Sequence, residues 1–417
     1  MEDRNAQREF ALDVVTRLRA AGHEALWAGG CVRDELLGRV PKDYDVATSA
    51  LPDEVRELFG RRRTLAIGAA FGVITVRGGQ LPPIEVATFR TDGEYRDGRR
   101  PESVAFTTAE HDAQRRDFTI NGLFFDPIDG KVIDHVNGVA DLRAGMVRAI
   151  GDPRKRFTED KLRMLRAVRF AAVYDFAIDE ATLRAIREMA DAVAQVSGER
   201  IGAELRRILL HENRSRGVAL LAEADLVRSL LPELGTQAAE NDAAWQSARR
   251  RLGRLNHPTA SLAIAALLFE VVDSQQMREI GRRWRLSNKE LDRTIWLLAQ
   301  MPPILQAATL PWPQLQRMLA HEGVGELMSL AGVILPADDL GLDRCREQLS
   351  RPVDQWNPPP VVTGDDLLRH GIKPGRQFAT LLDHLRDEQL EGRIRTVDEA
   401  VAAARQWLEN AGHPSQR

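Results

Sequence analysis

The sequence predicts an α+β protein, in which an N-terminal α/β part with a mixed sheet is followed by an all-helical remainder. Up to about residue 150, short β-branched or apolar runs such as residues 71–76 and 83–89 alternate with Gly and Pro turns, a pattern typical of strands. After Pro153, Leu, Ala, Arg and Glu recur at spacings of three and four residues, the period of amphipathic helices. With 417 residues, 43% of them hydrophobic, the chain can form several domains.

The N-terminal half starts with a predicted amphipathic helix at about residues 5–21, which Gly22 would end. Residues 89–106 lie between two predicted strands and are rich in Gly and charge, so we expect a mobile loop there. Strands are predicted at residues 24–28, 43–48, 71–76, 83–89, 103–108 and 131–136.

The helical half has few interruptions, and these suggest domain boundaries. A Pro-rich stretch at residues 351–368 indicates a linker before a last helical module. We therefore predict an N-terminal head at residues 1–150, a helical neck at 151–215, a helical body at 216–355 and a C-terminal helical tail at 356–417.

Composition limits the classes of partner and compartment. The formal net charge of −3 creates no global basic field, so any nucleic acid must be held by local patches. Cys31 and Cys345 lie far apart, which argues against a zinc site or a disulfide scaffold. The charged start and the lack of a run of about 18 apolar residues lead us to expect a cytoplasmic protein without a membrane segment.

Residues 27–38 have the pattern of a strand end, a glycine turn and a helix. The turn contains Gly30, and the first turns of the helix carry Arg33. Glycines let a phosphate approach the backbone, while the helix N-terminus and a guanidinium supply positive charge. An ordinary tight turn is the alternative, and this feature alone does not decide between the two.

Two aspartates alternate on the strand that follows. Asp43 and Asp45 leave the same face of a strand with period two, so they can share divalent cations. Solvated acids at a strand end are the alternative. A carboxylate pair beside a phosphate-binding turn suits two-metal phosphoryl or nucleotidyl transfer. This stretch therefore indicates a triphosphate and magnesium.

A family resemblance rests on several segments in a fixed order. Residues 29–48, GGCVRDELLGRVPKDYDVAT, resemble the signature of the bacterial-type class II nucleotidyltransferases, a branch that contains CCA-adding enzymes, their A-adding and CC-adding relatives, and bacterial poly(A) polymerases. Further segments resemble the family's successive motifs and its C-terminal segment, at residues 115–127, 138–153, 157–171, 197–209 and 362–375.

The resemblance implies an enzyme that adds CCA to the 3′ end of tRNA from CTP and ATP, without a nucleic-acid template, using Mg²⁺ and releasing pyrophosphate. The head would be the catalytic domain, and the body and tail would hold the tRNA acceptor arm of a monomer or homodimer. A-only addition is the main alternative, with poly(A) synthesis and an inactive tRNA-binding relative behind it. The loop at residues 89–106 resembles one that CC-adding enzymes lack, and the acidic chain has no basic C-terminal extension like that of poly(A) polymerases.

The resemblance also implies roles for individual residues. Glu85 would be a third carboxylate near the metals, with a structural salt bridge as its alternative. A single helix would carry Asp160, Arg163, Arg166 and Arg169 at steps of three, as a template rather than a solvated face. Nucleotide-binding roles are implied for Gly30, Arg33, Arg116, Asp117, Asn121, Asp160, Arg163, Arg166 and Arg169.

The proposed template can be checked against hydrogen-bond chemistry. Cytosine and adenine present an exocyclic amine donor beside a ring-nitrogen acceptor, whereas uracil and guanine present a carbonyl beside an N–H. The carboxylate of Asp160 accepts and the guanidinium of Arg163 donates, so the pair would suit C and A. By contrast, we interpret His111 and Asp112, the dipeptide of metal phosphohydrolases, as a polar helix turn, because no further ligands follow at suitable spacing.

Overall fold

The computed structural model describes residues 2–93, 103–234 and 243–412. The chain divides into two compact units, one of Met1–Gly253 with Glu279–Leu286 and the other of Arg254–Arg278 with Ser287–Arg417. The finer division into head, neck, body and tail stays a prediction.

The first unit contains the β-structure of the described chain. A seven-stranded sheet has the order β3-β4-β5-β2-β1-β8-β9, and two two-stranded sheets pair β6 with β7 and β10 with β11. The strands are β1 (Ala25–Ala28), β2 (Asp45–Thr48), β3 (Thr64–Gly68), β4 (Val73–Gly78), β5 (Leu81–Thr88), β6 (Arg90–Asp92), β7 (Val104–Phe106), β8 (Leu123–Asp126), β9 (Lys131–Asp134), β10 (Met146–Val147) and β11 (Ala177–Ile178).

The large sheet is mixed, as predicted. Strands β2 and β5 run parallel, while the other neighbouring pairs are antiparallel. All six predicted strands are confirmed, with shifted ends. In the large sheet the sequence did not reveal β3 or β8: the LFFD of β8 is a short apolar run without alternation, and β3 is an edge strand with a mostly exposed or half-buried pattern. The short strands β6, β10 and β11 outside this sheet were not predicted either.

Helices make up the rest of the first unit. The predicted N-terminal helix is confirmed as α1, and Gly22 follows it with a φ of 89°. Within this unit lie α1 (Glu2–Ala20), α2 (Gly30–Leu36), α3 (Pro52–Phe59), α4 (Ala109–Gln114), α5 (Gly138–Ala144), α6 (Pro153–Glu159), α7 (Leu162–Tyr174), α8 (Glu180–Met189), α9 (Gly198–Leu210), α10 (Arg214–Glu223), α11 (Val227–Leu230) and most of α12 (Ala243–Arg254). Short 3₁₀ segments lie at Arg61–Arg63, Ala69–Phe71, Thr119–Asn121, Ala190–Gln195 and Pro232–Leu234.

Aromatic side chains fill the core around the sheet and the helix α7. Trp27 of β1 and Phe124 of β8 are fully buried, and the Phe89 ring meets Phe124 edge to face at 5.9 Å. Phe118 contacts Phe170 of α7 in the same way at 5.7 Å, so α7 is packed onto the segment that precedes the 3₁₀ turn. The helix α7 also packs against α9 and α10.

The second unit is helical throughout its described part. In the C-terminal segment, Leu367, Leu381, Leu385, Ala400 and Ala404 form a separate buried cluster. Its helices are α13 (Ala260–Leu268), α15 (Asn288–Ile304), α16 (Trp312–Leu319), α17 (Val324–Ile334), α18 (Leu340–Ser350), α19 (Val353–Trp356), α20 (Gly364–Arg369), α21 (Phe378–Leu390) and α22 (Val397–Gly412), while α14 (Ser274–Arg283) has residues in both units. The predicted α+β fold is therefore confirmed. Across the described ranges, every helix is too short or too polar to cross a membrane.

Candidate active site

A cavity of about 1390 Å³ in the first unit brings the predicted site residues together. Its wall combines the glycine turn, the aspartate pair, the segment after α4 and one side of α7 with α9. Of the predicted residues, Glu85 is the one that does not line it. The others do: Gly30, Arg33, Asp43, Asp45, Arg116, Asp117, Asn121, Asp160, Arg163, Arg166 and Arg169.

The glycine turn between β1 and α2 lies against an arginine of the opposite wall. Gly29 has a φ of 72°, and a Cβ there would lie 2.8 Å from Nη1 of Arg116, so only glycine fits. Arg33 projects from α2 and is 6% exposed. Its guanidinium donates to Asp34 Oδ1 at 2.9 Å and to Asn121 Oδ1, and lies 4.5 Å from the centre of the Tyr174 ring. These contacts hold Arg33 rigidly at the cavity wall.

Three acidic residues lie near the parallel pairing of β2 and β5. Asp43 lies two residues before Asp45, the first residue of β2, and the Cα register places Glu85 beside Asp45. The side chain of Asp45 is accessible from the cavity, yet the surrounding protein displaces bulk water and raises its pKa to about 7, with Asp43 and Glu85 adding to the effect and Arg116 opposing it. Among the described residues, none of the three forms an ion pair.

The carboxylates at the start of β2 are suitable ligands for a magnesium ion that is also coordinated by substrate phosphates. In the described part of the chain, no three Asp, Glu, His or Cys side chains converge as a metal cage. Mg²⁺ is usually held by one or two carboxylates together with substrate phosphates and waters. Asp43 and Asp45 fit this pattern, and Glu85 adds negative charge beside them.

The segment after α4 contributes a buried polar network. Asp117 accepts from Nε of Arg166 at 2.8 Å, from Nδ2 of Asn121 at 2.9 Å and from the N–H of Phe118 at 2.8 Å. Burial disfavours its ionised form, but the charge and hydrogen bonds of Arg166 and Asn121 outweigh burial and lower the pKa of Asp117 to about 2. Asp117 and Asn121 thus line the cavity and also fix two of its arginines, Arg166 and Arg33.

The prediction that one helix carries all four template residues is wrong for Asp160. The helix α6 ends at Glu159 and α7 begins at Leu162, while Asp160 between them has extended backbone with a φ of −148°. Its carboxylate accepts the N–H of Leu162 at 3.1 Å, a side-chain bond that competes with helix continuation. The extended backbone takes Asp160 off the stripe of α7, yet its side chain still lines the cavity.

Each template side chain has an internal partner. Arg200 of α9 donates from Nη1 to Oδ1 of Asp160 at 3.1 Å and from Nη2 to Oδ2 at 2.6 Å. Arg163 donates to the carbonyl of Arg156 at 3.0 Å and pairs with Glu159. Arg169 likewise pairs with Glu204 of α9. These side chains are therefore held in place in the cavity wall by internal hydrogen bonds and ion pairs, and they do not form a solvated helix face.

Sequence reasoning missed two residues that organise this wall. Asp112 lies in a helix, α4, as predicted, but it is a buried carboxylate that binds Arg115 and Arg116. Its spacing of three and four residues from those arginines on a predicted helix was the available signal. Arg200 lies in a segment that resembled a family motif, but nothing in the sequence linked it to Asp160.

Family profiles match two parts of the chain. One described as "Poly A polymerase head domain" matches residues 25–148, and one described as "Probable RNA and SrmB- binding site of polymerase A" matches residues 175–237.

Known proteins match almost the whole chain. The CCA-adding enzyme of Levilactobacillus brevis is 32% identical over 413 residues, which cover 95% of this chain and 97% of that protein. The CCA-adding enzyme of Geobacillus stearothermophilus is 38% identical over 302 residues, 70% of each chain. The solved structure of the Bacillus stearothermophilus CCA-adding enzyme in complex with CTP superposes with a TM-score of 0.76 at 29% identity, covering 96% of this chain and 98% of that one. Identity of this extent, together with a cavity that gathers the predicted residues, shows that the chain belongs to the family of CCA-adding enzymes.

Proposed function

We propose that this protein adds C, C and A to the 3′ end of tRNA, taking CMP and AMP from CTP and ATP, releasing pyrophosphate and using no nucleic-acid template. The observation that carries the proposal is one cavity that holds both an aspartate pair suited to Mg²⁺ and a carboxylate next to a guanidinium that can select a base. The names of the relatives support it.

In this proposal Asp43 and Asp45 hold Mg²⁺. When bound, Mg²⁺ polarises the attacking 3′ hydroxyl and neutralises the leaving pyrophosphate. The pKa of Asp45 is raised chiefly because the surrounding protein disfavours its charged form, and the negative charges of Asp43 and Glu85 raise it further. A divalent cation would offset these charges. Arg33 and Arg116, which flank the glycine turn, would bind the triphosphate.

The selection of C and A follows from the hydrogen-bonding capacity left on Asp160. A carboxylate has about four lone-pair sites, and Arg200 and the N–H of Leu162 occupy all but about one of them, on Oδ2. That site can accept from an exocyclic amine. Arg163 uses Nη1 for Arg156 and Glu159 and Nη2 for the carbonyl of Arg115. Within the described residues its Nε has no partner and can donate to the ring nitrogen of the base.

Product analysis distinguishes this proposal from its alternatives. Purified protein is offered tRNA that ends before CCA and tRNA that ends in CC, with CTP and ATP separately and together. Full addition predicts CC from CTP alone and CCA from the mixture. An A-only enzyme would extend just the tRNA ending in CC, a poly(A) polymerase would add A repeatedly, and an inactive relative would bind tRNA without extending it.

Replacing Asp43 or Asp45 by Ala tests the metal site. We expect incorporation of every nucleotide to fall below a few per cent of the wild-type rate, because metal ions held by these aspartates would act chiefly in the transition state. Thermal unfolding should show a folded protein, since both side chains reach solvent. Substantial activity in either variant would show that the replaced aspartate is not needed to hold the metal.

A further inference from the structure

The buried carboxylate of Asp112 lies behind the cavity wall and divides its two oxygens between two arginines. Its residue is 1% exposed. Oδ1 accepts from Nε and Nη2 of Arg115 at 2.9 and 2.7 Å, and Oδ2 accepts from Nε and Nη2 of Arg116 at 3.1 and 3.0 Å. The backbone N–H of Arg90 also donates to Oδ1 at 3.3 Å. Asp112 thus orients both guanidinium groups, while Asp92, whose Oδ2 lies 3.5 Å from Nη1 of Arg115, supplies a second negative charge to Arg115.

Both arginines line the cavity, while Asp112 itself does not. Arg116 is further fixed by donating from Nη1 to the carbonyl of Asn121 at 3.3 Å and by packing 4.9 Å from the centre of the Phe124 ring. Its Nη1 also lies close to Gly29 of the glycine turn. The contacts with Asp112 and Asn121 use the N–H of Nε and one N–H each of Nη1 and Nη2. One N–H group therefore remains on Nη1 and one on Nη2 for an anion.

We propose that Asp112 is a positioning residue, which holds Arg116 beside the glycine turn so that its remaining N–H groups meet the triphosphate of either nucleotide. The inference rests on the function proposed above and adds a residue that touches neither substrate nor metal. Arg115 and Arg116 are adjacent like charges that share Asp112 as a counter-ion. Without Asp112, Arg115 keeps Asp92 as a partner, whereas Arg116 forms no other ion pair among the described residues and would lose its fixed orientation.

Asp112 acts on the triphosphate end in this proposal, whereas Asp160 and Arg163 act on the base. The two ends can therefore be separated by experiment. We expect Asp112→Asn to raise KM for CTP and for ATP by about ten- to a hundredfold, the range for loss of a charge-assisted hydrogen bond. The affinity for inorganic pyrophosphate with Mg²⁺ should fall by a similar factor, while the preference for C and A over U and G stays unchanged.

A double-mutant cycle makes the test specific. If Asp112 acts through Arg116, Asp112→Asn should add little to the effect of Arg116→Ala on pyrophosphate affinity. Glu233→Gln is a matched control, because its side chain is 7% exposed and forms a two-pronged ion pair with Arg283, and neither residue lines the cavity. The control variant should be less stable but should keep wild-type KM and pyrophosphate affinity.

Three outcomes would overturn the proposal: unchanged pyrophosphate affinity in Asp112→Asn, additive effects in the cycle, or a loss of C and A preference equal to the loss of affinity. If Asp112→Asn does not fold, Asp112→Glu keeps the charge and serves with the same measurements. A wild-type protein that binds pyrophosphate but incorporates no nucleotide would refute the proposed function, while the pyrophosphate comparison would still test Asp112.

Discussion

Single ion pairs decide how the cavity is built. Its arginines are matched to acids, locally along α4 for Arg116 and on other elements for the three arginines of α7, so the wall is electrostatically organised before any ligand binds. Breaking such a buried pair leaves an uncompensated charge, which costs about 3 to 5 kcal/mol. The pairs are Arg116 with Asp112, Arg163 with Glu159, Arg166 with Asp117 and Arg169 with Glu204.

Arg163→Ala tests the template. We expect less use of CTP and ATP and relatively more misincorporation of UTP and GTP, because a base edge loses a partner worth about 1 to 3 kcal/mol. The measurement is incorporation of all four triphosphates on tRNA ending in CC. Arg184→Ala is the control, since Arg184 forms an exposed pair with Glu180 within α8. A slower Arg163→Ala enzyme that keeps its full preference would place base selection elsewhere.

The lowered pKa of Asp117 allows a prediction of how the stability of the fold depends on pH. Its pKa of about 2 in the folded state lies below the ordinary value of 3.8, so its ionised form stabilises the fold. That contribution, about 2 to 3 kcal/mol, is complete above pH 4 and is lost as the pH falls from about 4 to 2. Asp117→Asn should be less stable at neutral pH and should lose less of its remaining stability over this range.

Denaturant unfolding of both proteins at several pH values measures this difference. The pH dependence should match in the two proteins if Asp117 contributes nothing, and that result would contradict the prediction. Arg166→Ala should also destabilise the fold, because it leaves Asp117 buried without its counter-charge.

Among the elements, α9 packs against α7 and fixes two of the four template residues by ion pairs. It supplies Arg200 to Asp160 and Glu204 to Arg169. Its position depends on a close backbone approach, because a Cβ at Gly202 would lie 2.2 Å from the carbonyl oxygen of Trp284. A helix interior otherwise disfavours glycine by about 1 kcal/mol relative to alanine.

Gly202→Ala should therefore destabilise the protein by about 1 to 3 kcal/mol despite its better helix propensity, since α9 must shift. Gly332→Ala is the matched control: Gly332 lies within α17, and a methyl group added there would have no neighbouring atom within 4 Å, so the variant should gain up to about 1 kcal/mol. Thermal unfolding gives both values. Equal stabilisation by the two substitutions would contradict the close approach.

For the whole molecule, the switch from C to A addition is the property least tied to one side chain. The loop prediction for residues 89–106 is wrong at both ends, because Arg90–Asp92 and Val104–Phe106 pair as the antiparallel strands β6 and β7, while residues 94–102 between them lie outside the described residues. Shortening the chain between Gly93 and Arg100 should spare C addition and strongly reduce A addition. Separate assays with CTP and ATP test this, and equal loss of both steps would make the loop a general structural element.

Local signals in the sequence determined much of this protein. Short β-branched or apolar runs between turns placed the six predicted strands, helical spacing placed α1, and ordered motifs indicated the family and the residues that line the cavity. These features depend on neighbours within a few positions, which is why one sequence reveals them.

Tertiary structure alone decided the pairings between distant residues. Arg200 lies 40 positions from Asp160, and Arg166 lies 49 from Asp117, so no local period predicts either pair. The burial of Asp112 had the same origin, because packing and partner charges determine it rather than propensity. The break at Asp160, by contrast, coincides with a local bond from its own carboxylate to the N–H of Leu162. Helix and strand patterns arise from short-range sterics, but the choice of an ion-pair partner depends on which elements the fold brings together.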